Sequence, residues 1–218
     1  MLSGVRAILL DLDGVLVDSR AATAEFFQRI LEAHGYPVAP RRRCDALYSR
    51  PAIVALKELS GESDPGRLDD LVQAVSSEAY PVELVKTQED TLANLRALSR
   101  HFRLGIVSSR TRAGIAEVLA CHLDPELFEA VVGYEDTTQH KPDPAPLLKG
   151  MALLDVGPRV TVYVGDSDSD IVAARRAGAI SVAYGPTAVE QADASIVALQ
   201  ELSALLIGAN GMEGETHG

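Results

Sequence analysis

Residues 7 to 19, AILLDLDGVLVDS, end an apolar run in two aspartates spaced two apart, then add a glycine and a further aspartate. Ile8, Leu9 and Leu10 read as a buried strand, and Asp11 falls where that strand leaves its sheet. Side chains alternate along an extended backbone, so Asp13 follows on the same side as Asp11. Gly14 permits a tight turn that a residue with a Cβ would resist. Two carboxylates thus converge on one small volume. Keeping both ionised there is costly, which implies a hard metal ion, a raised pKa on one carboxyl, or both.

Working outward, residues 20 to 33 carry Phe26, Phe27, Ile30 and Leu31 at helical spacing, with Gly35 and Pro37 as stop signals. The helical pattern repeats over 51 to 59 and 67 to 79, and nothing between 20 and 84 resembles a strand. From about residue 88 the texture changes. A helix (QEDTLANLRALSR) leads to the strand RLGIVSS, a helix around Ile115, Val118 and Leu119, and the short strand EAVVG. A helix over 144 to 154, the strand VTVYVGD, the helix DIVAARRAG, a last strand ISVAYG and a final helix complete the chain. Strands alternating with helices at short spacing predict an α/β fold: a Rossmann-like, doubly wound parallel sheet with an inserted α-helical cap. The expected division is a discontinuous core, 1–16 and 85–207, a helical cap, 17–84, and a flexible tail, 208–218.

The 218 residues suffice for a core with one smaller insertion, and 47% apolar with 23% charged residues is ordinary for a globular protein. A formal charge of -11 argues against nucleic acid or an anionic membrane as the main partner. The opening segment lacks a signal peptide's apolar stretch and cleavage site, and no apolar run approaches the ~20 residues that span a bilayer. Cytoplasmic residence is the expectation. Cys44 and Cys121 have no metal-ligand spacing and read as small buried or half-buried thiols.

In an open parallel sheet the ligand lies beyond the carboxyl ends of the strands. Asp11 and Asp13 follow the first strand, Ser108 and Ser109 follow LGIV, and Gly165 and Asp166 follow VTVYV. Lys141, in the turn HKPDP, is the one cation of this set. Carboxylates for a metal, hydroxyls and backbone N–H groups for phosphate oxygens, and a lysine for the remaining charge make a phosphoryl site.

With those residues in place, the chain resembles the haloacid dehalogenase superfamily, in particular its phosphatase branch with a helical cap after the first strand. DLDGVLVDS is similar to the first signature of that superfamily, Ser108 within IVSSR to the second, Lys141 within HKPDP to the third, and GDSDSD from Gly165 to Asp170 to the fourth. The likeness extends from about residue 5 to 206, and phosphoglycolate-phosphatase-like enzymes are the nearest type. It implies Asp11 as nucleophile, forming an aspartyl phosphate, and Asp13 as general acid and then base. It implies Mg2+ on the carboxylates of Asp11 and Asp166 and the backbone carbonyl of Asp13. Ser108 and Ser109 would bind phosphoryl oxygens beside the Gly14 turn, Lys141 would neutralise the remaining charge, and Asp170 would support Lys141 or a metal-bound water. Metal and Lys141 would keep Asp11 ionised, while crowding would let Asp13 hold a proton. Arg50, in the cap turn LYSRPA, is a candidate substrate contact.

Simpler readings stand beside these. Asp168 suits a helix N-terminus, Ser109 or Thr111 can cap the helix after them, Asp18 or Ser19 can cap the helix at 20, and Arg41 to Arg43 form a solvated cationic face. His140 reads as a turn or packing residue. The expected function is hydrolysis of a small phosphorylated metabolite, phosphoglycolate-like or a sugar phosphate. Alternatives are a sugar phosphomutase similar to beta-phosphoglucomutase, a pyrophosphatase and, more remotely, a phospho-accepting signalling module or an inactive binding protein. The segment PVELVKTQED lacks the proline-glycine pair common in phosphoglycolate-type relatives, which leaves the substrate open. Oligomeric state is not readable from periodicity.

Overall fold

The computed structural model describes residues 4–88, 90–186 and 191–207; the expected tail at 208–218 lies outside them. Six strands form one parallel sheet: β1 (Ala7–Leu10), β2 (Arg103–Val107), β3 (Ala130–Val132), β4 (Thr161–Gly165), β5 (Ile180–Tyr184) and β6 (Ala194–Ile196). Their order is β3-β2-β1-β4-β5-β6. The chain therefore winds outward from β1 in one direction and from β4 in the other. These two central strands pair directly, with Leu10 opposite Val164, and ligands bind at such a reversal of strand order.

Period-two alternation sorts the strand residues onto two apolar faces. Ile8, Leu10, Leu104, Ile106, Val162 and Val164 face one side. There they meet Leu95 and Leu98 of α5 (Thr91–Ser99), Ile115 and Val118 of α6 (Arg112–His122), and Leu199 and Leu202 of α9 (Leu199–Ile207). Leu9, Val107 and Tyr163 face the other side, against Leu147 and Met151 of α7 (Ala145–Leu153) and Ala173, Ala174 and Ala177 of α8 (Asp168–Ala177). A sheet covered on both faces buries every residue of β1, which is why that strand reads as an unbroken apolar run.

Between β1 and α5 the chain is helical: α1 (Arg20–Ala33), α2 (Arg41–Ala46), α3 (Ala52–Ser60) and α4 (Pro65–Ser77). These helices share an apolar cluster of their own, including Phe26, Phe27, Ile30, Leu31, Leu56 and Leu71. The two strands of chain that lead into and out of this unit are tied together, because Asp18 and Lys86 exchange backbone hydrogen bonds of 2.8 and 3.0 Å.

Arg41 to Arg43 are exposed, the solvated cationic face expected, and lie at the start of α2, where Arg41 and Asp45 pair at 2.8 Å; six residues are too few to show helical periodicity. Two local expectations need correction. ISVAYG is not the last strand, because β6 follows it, three residues long and held by pairing with β5 rather than by an apolar pattern. Cys44 is buried as expected, but Cys121 is exposed on α6.

Candidate active site

The site forms where β1, β2 and β4 end. Asp11 is 7% exposed. Its Oδ1 accepts the Leu12 N–H at 2.8 Å, and its Oδ2 lies 3.2 Å from Lys141 Nζ. Lys141 comes closer still to Asp170 Oδ1, at 2.6 Å, and donates to the Tyr163 hydroxyl at 3.0 Å. Tyr163 Oη is also 3.0 Å from Asp170 Oδ1 and 3.1 Å from the Val107 carbonyl oxygen, so it ties β2, β4 and α8 together beneath the lysine. Desolvation disfavours the Lys141 ammonium, yet Asp11 and Asp170 outweigh it and hold the group above the usual lysine range.

Asp170 owes its position to the fourth signature. Ser167 caps α8 and forms a capping box with Asp170, whose Oδ2 accepts from the Ser167 N–H at 3.1 Å and from its hydroxyl at 2.6 Å. The other oxygen is thereby left for Lys141. Gly165 makes the approach possible, since a Cβ there would stand 2.2 Å from Asp170 Cβ. Asp168 is an exposed first-turn acid of α8, as its sequence position suggested.

Asp11, Asp166 and Asp170 each offer a carboxylate oxygen within 4.8 Å of the others. Burial pushes the Asp166 carboxyl up to about 6, with Asp170 adding to the effect. Burial also raises Asp11 well above the carboxylate range, opposed by Lys141 and reinforced by Asp170, Asp166 and Asp13. An oxygen-only donor set with this much unrelieved negative charge suits a hard divalent cation. Gly14 keeps the space open: with φ +83° it turns the chain, and a Cβ there would meet Asp166 Oδ2 at 2.0 Å. Its N–H donates to the Val17 carbonyl at 2.8 Å, so the residue makes room for Asp166 while its amide is spent within the turn.

Asp13 departs from the expected tuning. Arg110 grips it with two bonds, Nε to Oδ2 at 3.0 Å and NH2 to Oδ1 at 2.7 Å. Ser19 Oγ donates to the same Oδ1 and is 3.0 Å from Tyr48 Oη. Burial alone would raise the Asp13 carboxyl, but Arg110 and the Ser19 hydroxyl more than cancel it, and the carboxyl sits below its ordinary value. The expectation that crowding lets Asp13 hold a proton is thus not met in this arrangement, because a buried guanidinium faces it. Ser19 is also not a helix cap in the usual sense: its side chain makes no capping bond to α1, and Asp18 Oδ1 accepts the Arg20 N–H at 3.2 Å instead.

Ser108, 5% exposed, accepts the Arg110 N–H on Oγ at 3.2 Å, which leaves the hydroxyl able to donate. Thr111, not Ser109, caps α6. His140 stacks on Tyr134 at 3.9 Å, a packing role. A cavity of about 460 Å³ opens over these groups, bordered by Asp11, Asp13, Ser108, Ser109, Arg110 and, from the helical unit, Phe26, Tyr48, Arg50, Ile53 and Val75. Lys141 and Asp166 do not border it; Asp166 and Gly14 border a second cavity of about 540 Å³.

Arg110, Tyr48, Tyr80 and Tyr163 join the site without having been picked out from the sequence, and Ser19, read there only as a helix cap, joins them. Arg110 had a signal, being a cation two residues past Ser108 at a strand end. Tyr163 had a weaker one, a hydroxyl inside an otherwise apolar strand. Tyr48 and Tyr80 had none, as they arrive from connecting segments distant in sequence, between α2 and α3 and after α4.

Residues 8–184 match the family of haloacid dehalogenase-like hydrolases. The chain is 29% identical over 202 residues to a phosphoglycolate phosphatase of Photorhabdus laumondii, covering 85% of this chain and 83% of that one. It is 30% identical over 177 residues to the pyrophosphatase PpaX of Anoxybacillus flavithermus, covering 80% of each. Among solved structures, a protein from Bacteroides fragilis assigned as a haloacid dehalogenase-like hydrolase superposes with a TM-score of 0.82 at 30% identity, over 91% of this chain and 99% of that one.

Proposed function

The chain belongs to the haloacid dehalogenase-like hydrolases, and from that premise we propose that it is a Mg2+-dependent phosphatase acting on a small phosphorylated metabolite through an aspartyl phosphate. The observation that carries this reading is the convergence of Asp11, Asp13, Ser108, Lys141 and Asp166 at the ends of three adjacent strands.

Asp11 attacks phosphorus in line, and the bond from phosphorus to the ester oxygen breaks. The leaving oxygen takes a proton from Asp13. Asp13, now a carboxylate, accepts a proton from the water that attacks the phosphorus of the aspartyl phosphate. The bond from phosphorus to Asp11 then breaks, which releases inorganic phosphate and restores both carboxyl groups. Lys141 and the Ser108 hydroxyl stabilise charge on the phosphoryl oxygens, with Ser109 completing that side of the cavity. Asp170 holds Lys141 in position. Mg2+ bound by Asp11, Asp166 and the Asp13 carbonyl would supply further neutralisation of phosphoryl charge. Residues 17–84 act as a cap that closes over the cavity and excludes water, with Arg50 toward substrate.

The test is phosphate release from phosphoglycolate, hexose phosphates, nucleotides and pyrophosphate with Mg2+, with EDTA, and by Asp11→Asn. Metal-dependent turnover abolished in the variant supports the reading; no release from any compound removes it.

A further inference from the structure

Both carboxylate oxygens of Asp13 are occupied by donors: Oδ2 by Arg110 Nε, and Oδ1 by the Arg110 NH2 group and Ser19 Oγ. To protonate a leaving group, a carboxyl must turn a proton-bearing oxygen toward it. A guanidinium offers only donors, so its two bonds occupy a lone pair on each oxygen and favour the carboxylate over the acid. The arrangement is a resting one, and loosening the Arg110 pair favours Asp13 as an acid.

The surroundings restrict what can draw Arg110 away. Its side chain is 11% exposed. The guanidinium lies 4.1 Å from the centroid of the Tyr80 ring and donates to Tyr80 Oη at 2.9 Å. Held in that way beside the cavity, it cannot simply exchange Asp13 for bulk water, and a buried guanidinium without an anion is costly. The replacement anion must enter the cavity with the substrate. Transferred phosphoryl oxygens have Lys141 and Ser108 for their charge. Of the two cationic side chains bordering the cavity, Arg50 is exposed and Arg110 is the one against Asp13.

We propose that Arg110 exchanges partners on binding, leaving Asp13 for a second anionic group, a carboxylate or a further phosphate, carried by the leaving group. Asp13 is then freed as acid only when such a substrate is seated. This rests on the phosphatase reading above and narrows it to phosphorylated acids and diphosphates in preference to phosphorylated sugars.

The test compares two esters that differ in the second anion, 2-phosphoglycolate and 2-hydroxyethyl phosphate, with Mg2+ and with the wild-type protein, Arg110→Gln and Arg110→Lys. The wild type is expected to favour 2-phosphoglycolate in kcat/KM by about 10- to 100-fold, the scale of one charge-assisted hydrogen bond. Arg110→Gln should bring the ratio to about one, with the loss concentrated on 2-phosphoglycolate, and Arg110→Lys should restore part of it, lacking the two-pronged geometry. Equal losses on both esters mean that Arg110 only positions Asp13 or holds the transferred phosphoryl group, and overturn the proposal. So does a wild type indifferent to the carboxylate. A structure of Asp11→Asn with 2-phosphoglycolate gives a readout independent of turnover: Arg110 within about 3.2 Å of the carboxylate supports the exchange, and Arg110 still paired with Asp13 overturns it. If the wild type releases phosphate from neither ester nor from any compound of the wider panel, the phosphatase reading itself falls and takes the exchange with it.

Discussion

Lys141 Nζ and Asp170 Oδ1 stand 2.6 Å apart, closer than Lys141 and Asp11 at 3.2 Å, so the buried lysine is anchored by a residue that does not border the main cavity. The anchor leaves the ammonium aimed at Asp11 without making Asp11 its sole counterion. Both side chains of the anchoring pair are almost fully buried, at 4% and 1% exposure.

Asp170→Asn removes one member of that pair and keeps its size. Breaking a buried ion pair by removing one partner costs about 3 to 5 kcal/mol. The expected outcome is a loss of that order in urea unfolding, together with reduced phosphate release, because Lys141 then collapses onto Asp11. A stability change under about 0.5 kcal/mol, the range of an ordinary surface substitution, would contradict the anchoring role.

Gly14→Ala places a Cβ 2.0 Å from Asp166 Oδ2 at a backbone φ of +83°. The strain of a non-glycine residue there is about 1 to 3 kcal/mol, and Asp166 must also move. The variant is expected to need at least about tenfold more Mg2+ for half-maximal activity, which corresponds to only ~1.4 kcal/mol of binding. A metal titration of activity checks this.

On the proposed reading, protons and metal compete for Asp166. Its folded carboxyl titrates at about 6, above the ordinary aspartate value of 3.8. A raised carboxyl favours the metal-free fold below the unfolded value, and that contribution is lost as pH rises through about 6, where ionisation leaves the charge unrelieved. Mg2+ relieves it only in the ionised form. The rise in Tm on adding saturating Mg2+ should therefore be larger at pH 7.5 than at pH 5, as thermal melts with Mg2+ and with EDTA would reveal. A Mg2+-induced shift that is equal or larger at pH 5 would contradict the proposed competition.

Ser19→Ala deletes the hydroxyl that bonds Asp13 and meets Tyr48 from the helical unit. Ser19 is fully buried. Loss of one hydrogen bond to a charged group is worth about 1.5 to 3 kcal/mol. A fall in kcat of about tenfold or more is expected, by the relation of rate to barrier, with KM for the phosphorylated substrate little changed. A variant with wild-type kcat would show that the serine only fills space.

The sheet was legible because β1, LGIV of β2 and VYV of β4 are buried on both faces and so read as apolar runs, and beyond each lies the residue that matters: Asp11, Ser108 or Asp166. Strand β6 and helix α2 escaped, since three residues and six residues are too few for a period to show. Gly14 was legible as a turn; what its missing Cβ makes room for was not.

By itself the sequence determined the doubly wound sheet with its helical unit after β1, and the aspartates and serine that strand ends bring together with a lysine from the turn before α7, because period, strand-end position and turn residues are local properties of the chain. The tertiary structure alone decided which groups hold those residues. Arg110 meets Asp13 across 97 positions, Ser19 meets Tyr48 across 29, and Tyr80 reaches Arg110 across 30. Such contacts depend on how separately folded segments pack, and their effect is large because charge is weakly screened in a buried site. The state of Asp13 therefore follows from the partner that packing gives it, which no local pattern around residue 13 encodes.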